Sequence, residues 1–387
     1  MEISSLSGDD DLADKRIIVF YHRNPDNLHR GQGRYLGNLV NALSTYFRTT
    51  VIGTRFEPQW GSYRGTTNLL FNILHSYKNI IGFYLQFRKD KSNIKYTLFI
   101  AEDIYVIPLA LLISKISGVK ILYRISDYGR DYRKCISLDF PMSRLIFVIS
   151  VLTEFIAVRF SNYLIVPSLN LKRQLLTSLS FLKGDSVLYF PYVARPSPPD
   201  QMKIDKFKMD NELSGKFLVA FIGQTDYPPN VKAILEIFAL AKELEESYPQ
   251  IIFIIGGKGT LQFTSSENVN IKLLGEVDDL DTMLYSCYVG LTPVVTPGGI
   301  SIKTVDYLVR GLKVISTPEG ALGIPMNSQM IVSKISDFKT NLLKLYDDFK
   351  MEINRSYRVS NEVEQYFLSN KDETEFLDRL DALIMKT

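Results

Sequence analysis

The sequence predicts an α/β protein made of two doubly wound domains, each built on a parallel sheet. Short runs of β-branched and aromatic residues alternate with segments of helical periodicity along nearly the whole chain, the pattern of βαβ units. The alternation stops once, at PYVARPSPPD (191–200), where four prolines fall within ten residues. The 387 residues suffice for more than one domain, at roughly 100–200 residues per domain.

The first half of the chain contains short apolar runs that predict strands, with a helix over 34–47 where apolar residues recur at helical spacing. The predicted strands cover 16–21, 50–53, 97–101, 120–123 and 163–167. The second half repeats the pattern after the Pro-rich stretch. Its predicted strands are 216–223, 250–256, 270–274, 288–292 and 313–316; its predicted helices are 230–247, 278–285, 302–311 and a group from about 336 to the end.

These elements predict a domain organisation. We expect an N-terminal Rossmann-like domain over 1–190, a linker without regular elements over 191–215 and a C-terminal Rossmann-like domain over 216–350. The helices of 351–387 are expected to pack back toward the N-terminal domain. In such a pair the ligand cleft is expected at the carboxyl ends of the strands, between the domains.

Composition excludes several classes of protein. With 46% apolar and 22% charged residues the chain is not disordered, collagen-like or a coiled coil. The two cysteines, Cys135 and Cys287, exclude a disulfide scaffold and suit a reducing compartment. The first fifteen residues are acidic, unlike a signal peptide, and the apolar stretches at 104–113 and 145–158 are too short to span a bilayer. A cytoplasmic protein is expected.

The net charge of +3 conceals two oppositely charged halves. Residues 1–195 carry 25 Lys+Arg and 15 Asp+Glu, a balance of +10, and residues 196–387 carry 20 and 27, a balance of −7. Within the basic half, the segment HSYKNIIGFYLQFRKDK (75–91) mixes cations with aromatic residues. This composition is typical of an amphipathic surface that binds an anionic membrane. A core helix over 69–88 with a basic end explains the segment equally well. A nucleic-acid partner is not expected, because the basic residues are dispersed and no recognition module is present.

A glycine-containing loop follows the first predicted strand, in RGQGRYLGNL. Gly31 and Gly33 precede the helix at 34–47, so the backbone and the free N–H groups of the helix could approach an anion. The spacing with Gly37 is not that of G-x-G-x-x-G. A tight turn accounts for the two glycines equally well.

Glycines also end two predicted strands of the second domain. In FIGQTDYPPNVKAILEIF, Gly223 lies at a strand end before a helix that starts near Asn230. The start of that helix could bind an anion or could be only an Asn cap after a Pro-Pro turn, and the two interpretations are compatible. In IIFIIGGKG, Gly256 and Gly257 could leave room for the flat ring of a nucleotide base, or serve only as turns.

The segment LTPVVTPGGISIKTVDYLVRGLKVISTPEGALGI carries the most chemistry. A strand ends at Pro293, a loop with Gly298 and Gly299 follows, and a helix begins near Ser301. Three charged residues share one face of that helix: Lys303, Asp306 and Arg310. Loop amides with Lys303 suit a diphosphate, and the carboxylate one turn on suits ribose hydroxyls. A solvated charge row is the competing interpretation.

These residues resemble the GT-B glycosyltransferases, and specifically the retaining glycosyltransferase family 4, "glycosyl transferases group 1". GISIKTVDYLVRGLKVISTPEGALGI is similar to that family's glycine loop, Lys, acidic residue, helix ending in Gly, strand and Gly-rich turn. FIGQTDYPPNVKAILEIF and LLGEVDDLDTML are similar to its donor domain, and RGQGRYLGNLVNAL is similar to the start of its acceptor domain. The resemblance is strongest over 216–324.

The resemblance implies a hexosyltransferase that moves a sugar from a nucleotide-sugar donor, with retention, to a glycan or lipid-linked acceptor such as a polyprenyl-linked sugar. It places Asp306 on the ribose, and Lys303 with the amides of Gly299, Ile300 and Ser301 on the diphosphate. Gly298 stands where the family has a Glu near the donor sugar. Gln224 and Lys232 are the residues found where the family usually has an Arg and a Lys, so Lys232 is a candidate phosphate ligand.

On the acceptor side the resemblance points to the loop RISDYGRDY, where Asp127 is the candidate catalytic residue; a turn-forming role is the alternative. No metal or other cofactor is expected, because no Asp-x-Asp lies at a strand end and the nucleotide-sugar is a substrate. Two alternatives remain beside the transferase: a nucleotide-sugar 2-epimerase of the same fold, and a catalytically weakened partner subunit, suggested by the missing Glu at Gly298.

Overall fold

The computed structural model describes residues 15–21, 33–53, 63–89, 96–125, 143–225, 227–263, 270–296, 299–351 and 359–385. The chain divides into two compact units. Unit 1 comprises Met1–Tyr192 and Asn370–Thr387, and unit 2 comprises Val193–Ser369.

Unit 1 is built on a six-stranded parallel sheet with the order β2-β1-β3-β4-β5-β6. Its strands are β1 Arg16–Phe20, β2 Arg48–Ile52, β3 Thr97–Glu102, β4 Ile121–Arg124, β5 Tyr163–Val166 and β6 Val187–Tyr189. Each predicted strand of the first half is therefore present. Five of the six residues of β3 are apolar or small and all six are buried, as expected for an inner strand of a parallel sheet covered on both faces.

Helices cover both faces of this sheet. They are α1 Gly33–Ser44, α2 Tyr63–Phe87, α3 Ile107–Ser117, α4 Ser143–Phe160, α5 Leu169–Ser178 and α12 Lys371–Met385. Helices α2 to α5 contribute to one apolar core with one face of the sheet, and α1 and α12 contact each other elsewhere in the unit. None of the helices in the described part of the chain is long and apolar enough to cross a membrane.

Helix α12 packs on unit 1, although it is the last element of the chain. The Phe376 ring lies 4.9 Å from the Phe190 ring, centroid to centroid, and Asp381 forms an ion pair with Lys15. Phe376, Leu377, Leu380 and Ile384 are buried at helical spacing, so one apolar stripe holds the helix against the unit.

Unit 2 contains a second six-stranded parallel sheet, with the order β12-β11-β10-β7-β8-β9. Its strands are β7 Phe217–Ile222, β8 Ile251–Gly256, β9 Ile271–Gly275, β10 Val289–Thr292, β11 Lys313–Ser316 and β12 Met330–Val332. Its helices are α6 Gln201–Asp210, α7 Pro228–Leu244, α8 Leu280–Ser286, α9 Ile302–Leu308, α10 Phe338–Met351 and α11 Asn361–Val363.

Helix α6 was not predicted, because 191–215 has little apolar periodicity and reads as a linker without elements. The helix is capped by the Asp200 carboxylate, which accepts a hydrogen bond from the Lys203 amide, and only Ile204 is buried along it. It packs on α8. A cap and one tertiary contact surface thus form a helix that the hydrophobic pattern does not reveal.

Helix α9 is shorter than the predicted 302–311. It ends at Leu308, and Gly311 adopts a left-handed conformation with φ of 74°. The amides of Arg310 and Gly311 donate to the carbonyls of Tyr307 and Leu308 in a tight turn. That turn leads directly into β11, as a glycine after a helix end permits.

Candidate functional site

The predicted ligand residues of unit 2 lie where parallel strands end. Gly223 directly follows β7, Gly257 directly follows β8, and Lys303 lies in the first turn of α9, which follows β10. Because β7, β8 and β10 are parallel neighbours, their carboxyl ends meet at one edge of the sheet. That edge is where open α/β sheets bind ligands.

Lys303 is the central cation at this edge. Its side chain is half-buried, its Nζ donates to the Oδ1 atom of Asn230 at 2.6 Å, and it lies 4.3 Å from the centre of the Phe221 ring. Burial lowers the pKa of Lys303 from 10.5 to about 7. No Asp or Glu forms an ion pair with it among the described residues. A lysine held in this way favours the binding of an anion. The anion would raise the Lys303 pKa again and so stabilise the charged ammonium.

One interpretation of the sequence made Asn230 the helix cap, and the structure contradicts that interpretation. The N-cap of α7 is Tyr227, whose side chain makes no capping bond, and Asn230 lies in the first turn with 8% of its surface exposed. Its Nδ2 donates to the Gln224 carbonyl at 2.8 Å, while Oδ1 accepts from Lys303. The amide therefore joins the β7–α7 loop to α9. A single Asn after two prolines gives no sequence signal for that role.

The start of α7 offers fewer amide donors than the sequence suggests. Pro228 and Pro229 have no N–H group, and the amides of Asn230 and Val231 both donate to the Tyr227 carbonyl, at 2.9 and 3.4 Å. Anion binding by this helix terminus is thereby weakened. Lys303 is then the principal candidate for anion binding among the residues that the structure describes at this edge.

The space beside the strand-end glycines is filled by the protein rather than left open. A Cβ atom at Gly256 would lie 2.8 Å from Val277 and 3.2 Å from Met283, and one at Gly223 would lie 2.8 Å from Asn230. At Gly257, with φ of 143°, a Cβ would lie 2.1 Å from the Gly223 carbonyl oxygen. The close approach of two backbones requires Gly257, whereas neighbouring side chains fill the space beside Gly223 and Gly256. Their assignment to ligand binding stays a prediction about backbone atoms.

Hydroxyl groups anchor the loop after β10 and the start of α9. The hydroxyl oxygen of Thr304 lies 3.0 Å from that of Thr292, 2.9 Å from that of Ser301 and 3.0 Å from the Gly320 carbonyl. Thr317 donates to the Val294 carbonyl. The first turn of α9 is thus fixed to β10 and to the loop after β11. Gly299 and Ile300 lie half-buried in this anchored segment.

Asp306 and Arg310 do not form a solvated charge row. Asp306 is 1% exposed and Arg310 is 5% exposed, and their Oδ1 and Nη1 atoms are 3.1 Å apart. Arg310 also donates from Nε to Asp281 at 2.7 Å. The Asp281 carboxylate accepts a further bond from the Ser197 amide at 2.9 Å. Burial acts to raise the Asp281 pKa, but the Arg310 charge and the Ser197 hydrogen bond outweigh it and hold the pKa below its usual value. The role of Asp306 in ribose binding stays a prediction.

Tyr307 fixes α9 to the sheet. Its hydroxyl oxygen accepts a hydrogen bond from the Ile222 amide at 2.9 Å, and burial raises its pKa well above 10.0. A Cβ atom at Gly290 of β10 would lie 2.2 Å from the Tyr307 ring, so Gly290 allows the ring to lie on the strand. The hydroxyl therefore satisfies the last amide of β7, beside Gly223.

The remaining predicted residues are placed as follows. Lys232 is exposed on α7, between buried residues that face the core. Gly33 is the first residue of α1. Gly31, Asp127 and Gly298 lie outside the described residues. Among the residues that the structure does describe, there is no group of three or more His, Cys, Asp or Glu that could hold a metal ion.

Unit 1 has a buried charged cluster that the sequence analysis did not predict. Glu102 and Arg124, the last residues of the neighbouring strands β3 and β4, form an ion pair and are 6% and 2% exposed. The Arg124 guanidinium lies 4.1 Å from the centre of the Tyr35 ring, and the Tyr35 hydroxyl donates to the Phe190 carbonyl at 2.6 Å. The carboxyl edge of this sheet is thus also polar and ordered.

The comparisons with known proteins agree with this geometry. Residues 216–348, which contain every strand of unit 2, match the family model "Glycosyl transferases group 1". The C-terminal part of the chain is therefore similar to the group 1 glycosyltransferases. The resemblance noted in the sequence is therefore confirmed, and so is the prediction that the chain is a glycosyltransferase. No curated protein sequence matches the chain as a relative.

Solved structures of glycosyltransferases share the fold of the whole chain. HepE from Anabaena, in complex with UDP-glucose, is 13% identical with a TM-score of 0.63, covering 96% of this chain and 100% of its own. WaaG, a glycosyltransferase involved in lipopolysaccharide biosynthesis, is 12% identical with a TM-score of 0.65, and the match covers 96% of this chain and 100% of WaaG. Sucrose-phosphate synthase from Thermosynechococcus elongatus is 13% identical with a TM-score of 0.63, and the match covers 96% of this chain and 97% of the synthase. The predicted GT-B fold is confirmed.

Proposed function

We propose that this glycosyltransferase transfers a sugar from a nucleotide-sugar donor, with retention of anomeric configuration, to a glycan or polyprenyl-linked acceptor. The observation that carries the proposal is Lys303: a lysine at the carboxyl edge of the sheet, with a pKa lowered to about 7, held by a neutral amide. A diphosphate would be the negatively charged partner that this ammonium lacks among the described residues. The UDP-glucose complex of HepE, which shares the fold, supports a nucleotide-sugar donor.

The transfer breaks the bond between the anomeric carbon of the donor sugar and the β-phosphate oxygen. A hydroxyl oxygen of the acceptor forms the new bond to that carbon, and the departing diphosphate takes the hydroxyl proton. Negative charge develops on the leaving diphosphate, where a fixed ammonium stabilises it. Lys303 would serve this role, with the amides of Gly299, Ile300 and Ser301 as further donors. Attack on the same face of the sugar as the leaving group gives retention.

The remaining sequence-derived roles belong to the same proposal. Asp306 would bind the ribose, Asp127 would lie near the reacting sugar, and Gly31 and Gly33 would border the acceptor. The charge of Lys303 supports donor binding without a metal cofactor. We therefore expect that a metal chelator leaves the transfer rate unchanged.

The acceptor and the cellular site are part of the proposal. A balance of +10 over residues 1–195 favours an anionic acceptor, such as a polyprenyl-phosphate-linked sugar, in polysaccharide or glycolipid biosynthesis at the cytoplasmic face of a membrane. The neighbour WaaG, which acts in lipopolysaccharide biosynthesis, is consistent with a glycolipid acceptor.

A donor screen followed by product analysis tests the proposal. The purified chain is incubated with UDP- and GDP-sugars and candidate acceptors, and the products are separated and their anomeric configuration determined by NMR. We expect nucleoside diphosphate and a retained glycoside. An epimerised sugar without a glycoside would identify a 2-epimerase instead, and tight nucleotide binding without turnover would identify a partner subunit.

Two lysine variants link the activity to the site. Lys303→Met removes the ammonium at similar length, and Lys242→Met is the matched control, because Lys242 is exposed near the end of α7. We expect transfer to fall about a hundredfold or more for Lys303→Met, the effect typical of removing one group that stabilises transition-state charge, and to stay unchanged for the control.

A further inference from the structure

The outer face of α4 is apolar. Six large side chains along it are between 42% and 63% exposed: Val148, Ile149, Leu152, Phe155, Ile156 and Phe160. Their spacing places them on one stripe of the helix. A helix on the surface of a globular protein normally presents polar residues outward, so such a stripe indicates a surface that is covered by something else.

The neighbouring helices extend this apolar surface. Helix α3 packs against α4 and α2, and its Leu112 and Ile116 are 54% and 62% exposed. Helix α2 adds Leu74, Ile81 and Leu85 at 68%, 44% and 44%. We name the exposed apolar residues of these three helices the α2–α4 face. It is broader than the segment 75–91 that the sequence suggested, and its apolar residues are most closely spaced on α4.

The charges on the α2–α4 face have one sign. Lys78, Lys115 and Arg159 are exposed on α2, α3 and α4. The one acidic residue of the three helices, Glu154, is buried at 6% exposure. Within the side chains that the structure describes on these helices, the exposed surface is therefore apolar and basic, with no exposed carboxylate.

A groove runs between the ends of α3 and α4. It has a volume of about 590 Å³; apolar side chains including Leu112, Ile156 and Phe160 line it together with Lys115 and Lys120. It lies beside the amino ends of β4 and β5, because α3 and α4 lead into those strands. The groove is therefore at the opposite edge of the sheet from the one that binds ligands in this architecture.

We propose that the α2–α4 face docks on a lipid bilayer that contains anionic phospholipids. The exposed apolar side chains enter the boundary between headgroups and acyl chains, and the lysines and arginine contact lipid phosphates. The groove accommodates the headgroup of a phospholipid, with its phosphate near Lys115 and Lys120. A second copy of the chain fits less well, since a two-fold interface would bring like charges together. The docking does not depend on the proposed transfer reaction.

Vesicle flotation of the full chain tests this docking. Vesicles of phosphatidylcholine alone and of phosphatidylcholine with phosphatidylglycerol are compared at low and high salt. The apolar variant is Ile149→Ser with Leu152→Ser, and the basic variant is Lys115→Gln with Arg159→Gln. Leu235→Ser is the matched control, because Leu235 is 54% exposed on α7 of unit 2 and Leu152 is 55% exposed.

We expect the wild-type chain and the control to float with the anionic vesicles at low salt and to be released at high salt. The apolar variant should bind at least about tenfold more weakly, and the basic variant, which loses two cations, about thirtyfold more weakly. Equal binding of all variants, or no binding to anionic vesicles, would overturn the proposal. So would a dimer by light scattering that Leu152→Ser dissociates. Circular dichroism verifies that each variant is folded.

Discussion

Lys303 of α9 and Asn230 of α7 are joined by a hydrogen bond of 2.6 Å between Nζ and Oδ1. The two residues are 73 positions apart in sequence, and the bond connects the first turns of two helices that follow the neighbouring strands β7 and β10 of the unit 2 sheet. A neutral amide orients the ammonium without neutralising it.

Donor affinity should decrease above neutral pH. The Lys303 pKa is lowered from 10.5 to about 7 by burial, so the free protein loses this charge as the pH rises through 7. Binding of a diphosphate requires the proton and should weaken by at most about tenfold per pH unit above 7. Calorimetry from pH 6 to 9 measures this slope. A flat profile for the wild-type chain, or the same slope in Lys303→Met, would contradict it.

Asn230→Asp should weaken donor binding while preserving the shape of the site. The new carboxylate would pair with Lys303, raise the Lys303 pKa and compete with the diphosphate for the ammonium. We expect donor affinity at pH 8 to fall at least about tenfold, by analogy with measured couplings of close charge pairs. Asn230→Ala, which removes the bond without adding charge, is the control and should have the smaller effect. Tighter donor binding by Asn230→Asp would refute the assignment.

Asp306→Asn should reduce both stability and ribose recognition if the proposed role is correct. Removing one partner of the buried Asp306–Arg310 pair costs about 3 kcal/mol of the free energy of unfolding. Donor analogues with and without the ribose hydroxyls separate the two effects. The variant should lose affinity for the ribonucleotide donor but not for the dideoxy analogue. An equal loss for both would assign Asp306 to holding Arg310 alone.

Gly257→Ala should disrupt the carboxyl edge of the sheet. The added Cβ would lie 2.1 Å from the Gly223 carbonyl oxygen at a residue with φ of 143°, so the backbone itself would have to move. We expect a loss of about 2–4 kcal/mol in the free energy of unfolding. Gly184→Ala is the matched control, since a Cβ there meets no atom within 4 Å. Denaturant unfolding measures both; similar stabilities would contradict the prediction.

Much of the fold was predictable from sequence because buried parallel strands are nearly continuous apolar runs. Segments such as IIFIIG of β8 leave little choice of element. Helix α6 was missed because a cap and a packing contact, rather than periodicity, stabilise it. The sequence also indicated Lys303 as a candidate ligand residue through its motif. It did not identify Asn230, Thr304 or the Glu102–Arg124 pair, because these residues act through contacts between segments distant in sequence.

The central claim is that Lys303 binds the diphosphate of a nucleotide-sugar donor. Isothermal titration calorimetry of UDP-glucose at pH 7, with wild type, Lys303→Met and Lys242→Met, tests it most directly, with other nucleotide-sugars titrated in parallel. The account predicts that the donor which binds wild type binds Lys242→Met equally and binds Lys303→Met at least about tenfold more weakly. Equal affinity of Lys303→Met and wild type for that donor would contradict it.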